Sequence, residues 1–138
     1  MLGLPKGEVF LAPWNERWSQ EFLAEKNRIQ NSIGELIIAI HHIGSTAVQG
    51  LSAKPIIDIA IEMADLGNAR RCIAPLTSLN YAYRGTDILP DRHYFSKGEP
   101  RIFQIHLHLN ANYLPENLDS MVMLLLISQI YTFFLQVY

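Results

Sequence analysis

Two short runs rich in isoleucine constrain the fold of this chain more than any other feature. The first run spans residues 36–43 and the second spans residues 55–61, with a glycine-bounded turn at residues 44–50 between them. Apolar runs of this length are typical of strands that are buried within a sheet. The sequence therefore predicts two buried β-strands that are joined through a turn and a short helical piece.

Helices and further strands are predicted on both sides of this pair. Asn15 is a candidate N-cap for a first helix, which ends at Gly34, and Asp65 caps a second helix, which ends at Asn80. Three more strands are predicted after the second helix, at residues 81–84, 93–97 and 102–109. This order predicts an α/β or α+β domain with a mixed β-sheet flanked by helices.

The composition indicates a globular domain without an overall basic charge, although a local basic pocket stays open. The 138 residues are 49% hydrophobic and carry a net charge of −2, so a broad electrostatic grip on nucleic acid is not expected. Cys72 is the single cysteine, which excludes an internal disulfide and favours a reducing compartment. Residues 1–10 lack the pattern of a signal peptide, and we expect the chain to be cytoplasmic.

The end of the chain has a different composition from the rest. We expect residues 1–112 to form the domain, whereas residues 113–138 form an atypical apolar segment without a charged side chain after Asp119. Three interpretations are open for this segment: a buried terminal element, a membrane anchor, or a truncated or frame-altered tail. The apolar stretch is barely long enough to span a bilayer and has no basic flank, so membrane association is the least favoured of the three.

The segment that carries chemistry lies between and within the two isoleucine-rich strands. Gly44 lets the backbone approach a ligand closely, and the N–H groups at a helix start bind anions. Ser45 and Thr46 add hydroxyl donors at the same turn. Asp58 lies on the second strand, and a carboxylate beside a phosphate-binding turn suits a divalent metal that bridges to phosphate oxygens.

Alternation along the strands sorts the other polar residues by face. Asp58 shares a face with Glu62, and His106 shares a face with Gln104 and His108 on the last strand. Neutral imidazole binds zinc and other transition metals, so two histidines at i and i+2 are a candidate metal pair. Asp58, His106 and His108 are therefore candidate metal ligands. The alternative is that the two histidines face solvent or form hydrogen bonds within the core.

Several cations lie in or near these segments. Amino and guanidinium groups neutralise phosphate oxygens and donate hydrogen bonds to them. We therefore predict that Lys54, Arg92 and Lys97 bind phosphate groups together with the turn at residues 44–46.

A family resemblance becomes visible at residues 42–59. It rests on the stretch His-Ile-Gly-Ser-Thr-Ala-Val-x-Gly-Leu-x-Ala-Lys-Pro-Ile-Ile-Asp-Ile, which closely resembles the signature of the GrpB-like family. Pro13-Trp14-Asn15 and His106-Leu107-His108 are similar to further landmarks in that family's order, and the resemblance covers about residues 8 to 110. The family is assigned to the nucleotidyltransferase superfamily by its fold, and it is sometimes fused to dephospho-CoA kinase.

This resemblance implies a nucleotidyltransferase-like fold and transfer of a nucleoside monophosphate from a nucleoside triphosphate. Gly44 and Ser45 would hold the nucleotide phosphates. Ser45 and Asp58 would be catalytic, with Asp58 as the first carboxylate for Mg²⁺ or Mn²⁺. The chain departs from the superfamily pattern at Ala60, where a second acid is expected, and its last strand offers histidines in place of a third acid.

Three functions are open at this point. The first is a metal-dependent nucleotidyltransferase whose partner is a small-molecule nucleotide. The second is a binding module for nucleotides or CoA-related ligands without catalysis. The third is a metal-binding protein that holds zinc or another metal through Asp58, His106 and His108.

Overall fold

The computed structural model describes residues 2–63, 65–86 and 92–108. The helices and strands there follow in this order: α1 (Arg17–Ile33), β1 (Ala39–Ile43), β2 (Ile57–Glu62), α2 (Leu66–Ser78), β3 (Ala82–Gly85), β4 (Arg92–Lys97) and β5 (Phe103–His108). Short 3-10 turns follow α1 and β1, at Gly34–Leu36 and Ser45–Ala47. The order of elements is the one that the sequence predicts, and the expected mixed α/β fold is confirmed.

The strands form one mixed sheet in the order β1-β2-β5-β4-β3. β1 is antiparallel to β2, β2 is parallel to β5, and β4 is antiparallel to both β5 and β3. The parallel pair lies at the centre of the sheet, and its register places Asp58 opposite Gln104 and Ala60 opposite His106. The two strands that carry the predicted site residues are therefore direct neighbours.

Both helices pack on one face of this sheet. Phe22 and Ile29 of α1, Leu76 of α2, and alternate sheet residues such as Ile59 and Ile105 form one continuous core cluster. Burial of each such side chain contributes about 1.5–3 kcal/mol of transfer free energy. The isoleucine-rich strands thus supply the centre of the core, as their composition predicts.

Local signals in the sequence set the ends of the helices. The side-chain oxygen of Asn15 accepts a hydrogen bond from the backbone N–H of Arg17 at 2.9 Å, at the start of α1. Asp65 caps α2 by accepting from the N–H of Gly67 at 2.9 Å. Asn80 follows the end of α2 with a φ of 72°, the left-handed conformation expected there.

The opposite face of the sheet is polar, and it is also buried. This face carries polar residues that are each 6% exposed or less, among them Asp58, Tyr94, Gln104 and His106. Buried polar groups require hydrogen-bond partners. The contacts among these four residues therefore define the candidate site.

The predicted apolar segment, residues 113–138, lies outside the described residues. Its interpretation, and the domain boundary at residue 112, stay predictions. None of the helices in the described ranges is both long and apolar enough to cross a bilayer.

Candidate functional site

The turn after β1 lies directly against the carboxylate of Asp58. Gly44 has a φ of 78° and a ψ of −179°, a combination that only glycine adopts readily. A Cβ atom at this position would lie 2.6 Å from Asp58 Oδ2 and 3.1 Å from Asp58 Cβ. The absence of a side chain at Gly44 is therefore what allows the turn and the acid to share one site.

Asp58 is held through its other oxygen. The side-chain amide of Gln104 donates to Asp58 Oδ1 at 2.8 Å, and Nε2 of His106 lies 3.4 Å from the same oxygen. Nδ1 of His106 is buried without a hydrogen-bond partner among the described residues. A proton on Nε2 fits this environment, because it turns a donor toward the carboxylate of Asp58. Since Oδ1 is engaged, Oδ2 is the oxygen that faces Gly44.

A second layer of polar contacts lies beyond Gln104. Its amide oxygen accepts from Tyr94 Oη at 2.9 Å and from Arg101 Nη1 at 3.2 Å. Burial raises the pKa of Tyr94 to about 12, so the phenol keeps its proton at neutral pH and acts as the donor. Between the neighbouring strands β3 and β4, Arg84 Nε donates to Ser96 Oγ at 2.9 Å. One connected network thus links Asp58, at the Gly44 turn, to Gln104, Tyr94 and Arg101, and the pair of Arg84 and Ser96 lies beside it.

Thr46 contacts a histidine on the helix-packed face of the sheet. Its hydroxyl is buried and lies 3.0 Å from Nε2 of His42, whose ring stacks on Phe22 at a centroid distance of 4.7 Å. Burial lowers the pKa of His42 to about 4, partly opposed by the charge of Asp58, so the ring is neutral. The predicted phosphate contact of Thr46 stays a prediction. So does that of Ser45, which is buried next to Gly44.

Lys54 lies near Asp58, as predicted for a cation of the site. Its Nζ atom is buried. Burial lowers the pKa of Lys54, and the nearby carboxylate of Asp58 counteracts this shift. The structure therefore brings together Gly44, Asp58, Lys54 and His106.

Lys97 does not belong to this group, contrary to the predicted grouping. It extends to the helix-packed face, where Nζ donates to Glu25 Oε1 at 2.8 Å and lies 5.1 Å from the centre of the Tyr81 ring. The side chain of Glu25 is fully buried, so it requires this cation as a partner. Alternation along β4 is the physical reason, because it places Lys97 and Tyr94 on opposite faces.

Glu25 is a buried acid of α1 that none of the site predictions included. Burial by itself raises the pKa of Glu25, but hydrogen bonds from Lys97, Tyr81 and Arg28 outweigh this effect and leave the pKa below its usual value. Its burial was detectable in the helical spacing. Glu25 stands three residues after Phe22 and four before Ile29, on the same apolar stripe.

Arg92 and His108 are described by their backbone positions alone. His108 is opposite Glu62 in the register of β2 and β5, and Arg92 is opposite His108 in the register of β4 and β5. These positions are at the other end of β2 from Gly44. The predicted phosphate contact of Arg92 and metal ligation by His108 stay predictions.

The described residues fit a cation that takes most of its ligands from substrate and water. They contain no group of three or more histidine, cysteine, aspartate or glutamate side chains arranged to hold a metal. Zinc sites use three or four protein ligands, which this part of the chain does not supply. Mg²⁺ is commonly bound by one or two carboxylates together with substrate phosphates and water. Oδ2 of Asp58 offers such a carboxylate oxygen beside Gly44.

Comparison with known proteins identifies the family. The family described as GrpB protein matches residues 8–123. The chain belongs to the GrpB family. UPF0157 protein YqkA from Bacillus subtilis is 36% identical over 109 residues, which cover 78% of this GrpB-family chain and 32% of YqkA.

A solved structure and a more distant relative extend the comparison. The crystal structure of conserved protein GrpB from Enterococcus faecalis superposes with a TM-score of 0.70 at 22% identity, covering 89% of this chain and 95% of that one. At this identity the likeness shows the fold. A dephospho-CoA kinase from Mycolicibacterium paratuberculosis is 26% identical over 121 residues, which cover 79% of this GrpB-family chain and 30% of the kinase. The chain therefore spans about a third of the length of both curated relatives.

Proposed function

We propose that this GrpB-family chain binds nucleotide phosphates together with Mg²⁺ or Mn²⁺ and transfers a nucleoside monophosphate to an acceptor hydroxyl. The observation that carries the proposal is the close approach of Asp58 Oδ2 to the backbone of Gly44. It puts a carboxylate oxygen for the cation beside a turn that can donate backbone N–H groups to phosphate oxygens.

Each residue has a role that follows from its charge and position. A divalent cation supplies positive charge that stabilises the phosphates during transfer, and Oδ2 of Asp58 would hold it. Ser45 would donate to phosphate oxygens from the turn, and Lys54 adds positive charge near Asp58. In the transfer, the acceptor oxygen forms a bond to the α-phosphorus and loses its proton to solvent. The bond from the α-phosphorus to the β-phosphate oxygen breaks, and pyrophosphate leaves.

The match to a dephospho-CoA kinase supports a second candidate. In this alternative, the same site binds a nucleotide or a CoA-related ligand and performs no transfer. Binding of a metal alone has less support, because the described residues offer Asp58 and His106 without a third ligand. The two nucleotide-binding candidates differ in turnover, so one set of assays separates them.

The test is a thermal-shift screen combined with a pyrophosphate-release assay. The purified chain is heated with each nucleoside triphosphate, CoA or dephospho-CoA, in the presence of Mg²⁺, Mn²⁺ or EDTA. A ligand at a hundredfold excess over its Kd stabilises the folded state by about 2.7 kcal/mol. We expect stabilisation by nucleoside triphosphate only when the cation is present, and we expect pyrophosphate release under the same conditions.

Two matched variants assign the response to the site. Asp58→Asn keeps the volume of the side chain and can still accept from Gln104, but it removes the charge, so it should abolish the cation-dependent response. Glu62→Gln removes an acid from the same strand and face at a distance from Gly44, and it should respond as wild type does. An Asp58→Asn protein that keeps the cation-dependent thermal shift of wild type would contradict the proposed site. Stabilisation by nucleotide or CoA without pyrophosphate release selects the second candidate, and stabilisation by metal alone selects the third.

A further inference from the structure

Gln104 occupies a central position in the polar network on the sheet. Its side chain is 1% exposed, and it lies directly opposite Asp58 in the parallel pair of strands. The amide nitrogen faces Asp58 Oδ1 at 2.8 Å, while the amide oxygen faces Tyr94 Oη at 2.9 Å and Arg101 Nη1 at 3.2 Å. An amide turned the other way would oppose oxygen to carboxylate and N–H to guanidinium, so its neighbours fix its orientation.

We infer that Gln104 is a positioning residue that fixes the carboxylate of Asp58 for cation binding. This inference deepens the proposed function and rests on it. The terminal torsion of an aspartate is broad, so without an anchor the plane of the carboxylate rotates away from the orientation that points one oxygen at Gly44. The hydrogen bond from Gln104 engages Oδ1 and leaves Oδ2 toward Gly44, where the proposed cation and phosphates meet.

The chemical identity of the side chain is part of the inference. Gln104 can donate to Asp58 and at the same time accept from Tyr94 and Arg101, which a carboxylate at this position cannot do. A glutamate here would keep the contacts with Tyr94 and Arg101 but would place a second acid beside Asp58. Two buried carboxylates this close repel each other or share a proton, so a glutamate cannot hold Asp58 Oδ1 as the amide does.

The inference is tested by direct cation binding. Free Mn²⁺ is measured by electron paramagnetic resonance while the full chain is titrated with Mn²⁺, with and without a nucleoside triphosphate. Gln104→Met removes the donor at similar volume and should raise the Kd for Mn²⁺ with nucleotide by about tenfold or more, the usual effect of one hydrogen bond to a charged group. Gln104→Glu keeps the contacts with Tyr94 and Arg101 but also lacks the donor to Asp58, so it should raise this Kd by about tenfold or more as well.

Two further variants keep the test decisive. Tyr94→Phe removes one donor to the Gln104 amide and leaves the ring, so it should weaken binding by a few fold even if Gln104→Met does not fold. Ser96→Ala alters the register position beside Gln104 that contacts Arg84 rather than Asp58, and it should bind as wild type does. Urea unfolding of the same variants separates the two roles, because a structural role alone predicts that every variant that stays folded keeps its affinity for Mn²⁺.

The outcomes separate this inference from the proposed function. If wild type binds Mn²⁺ with nucleotide, Asp58→Asn does not, and the Gln104 and Tyr94 variants bind normally, the positioning role is wrong and the proposed function stands. If wild type shows no binding of Mn²⁺ with nucleotide, the proposed function and the positioning role are both overturned.

Discussion

Replacing Gly44 with alanine should destabilise the protein and displace the carboxylate of Asp58. Two terms contribute to the loss. The backbone conformation, with φ at 78° and ψ at −179°, costs a residue other than glycine about 1–3 kcal/mol. The new Cβ would lie 2.6 Å from Asp58 Oδ2, and overpacking of a buried site costs about 1–3 kcal/mol. We therefore expect a loss of about 2–6 kcal/mol in the free energy of unfolding.

Gly50→Ala is the matched control for this substitution. Gly50 also has a positive φ, of 83°, but a Cβ there would meet no atom within 4 Å. It should carry backbone strain without a steric clash, so Gly44→Ala should be less stable than Gly50→Ala by at least about 1 kcal/mol. Urea unfolding with linear extrapolation measures both free energies. Equal losses in the two variants would refute the steric contact between the turn and Asp58.

Two other predictions concern the helix-packed face. Lys97→Met should lower the free energy of unfolding by about 2 kcal/mol, because Glu25 loses a charged hydrogen-bond donor. It should leave the metal-dependent nucleotide response unchanged; loss of that response in a stably folded variant would place Lys97 in the site after all. Burial lowers the pKa of His42 to about 4. The neutral ring therefore contributes fully to the free energy of unfolding above the unfolded pKa of about 6.5, and this contribution is lost as the pH falls toward 4. Wild type should therefore lose about 2–3 kcal/mol more than His42→Gln between pH 6.5 and 4 in urea unfolding, and parallel profiles for the two proteins would contradict a buried neutral His42.

The order of elements could be predicted because it depends on local patterns. Isoleucine runs predicted β1 and β2, and Asp65 and Asn80 predicted the two ends of α2. Alternation along β2 placed Asp58 on its own face without knowledge of the partner strand. These signals act within a few residues, so one sequence is enough to detect them.

The site could be predicted only in part, because it depends on which strands become neighbours. Asp58 and Gly44 were expected together since a short connection joins their strands, and the structure places them in contact. Gln104 was recognised as sharing a face with His106, but its contact with Asp58 depends on the parallel register of β2 and β5. Lys97 was grouped with the site by closeness in sequence, whereas the alternation of β4 turns it to the other face.

The two halves of the candidate site come from distant parts of the chain. α2, β3 and β4 all intervene between β2, which carries the acid, and β5, which carries Gln104 and His106. Pairing of β5 with β2 therefore closes a long connection, and chain entropy opposes this closure. If the helices form while β5 is not paired with β2, Asp58 lacks the contacts with Gln104 and His106 that orient its carboxylate. Ligand binding at the proposed site is therefore expected to depend on this pairing, which a measurement of helical content does not report.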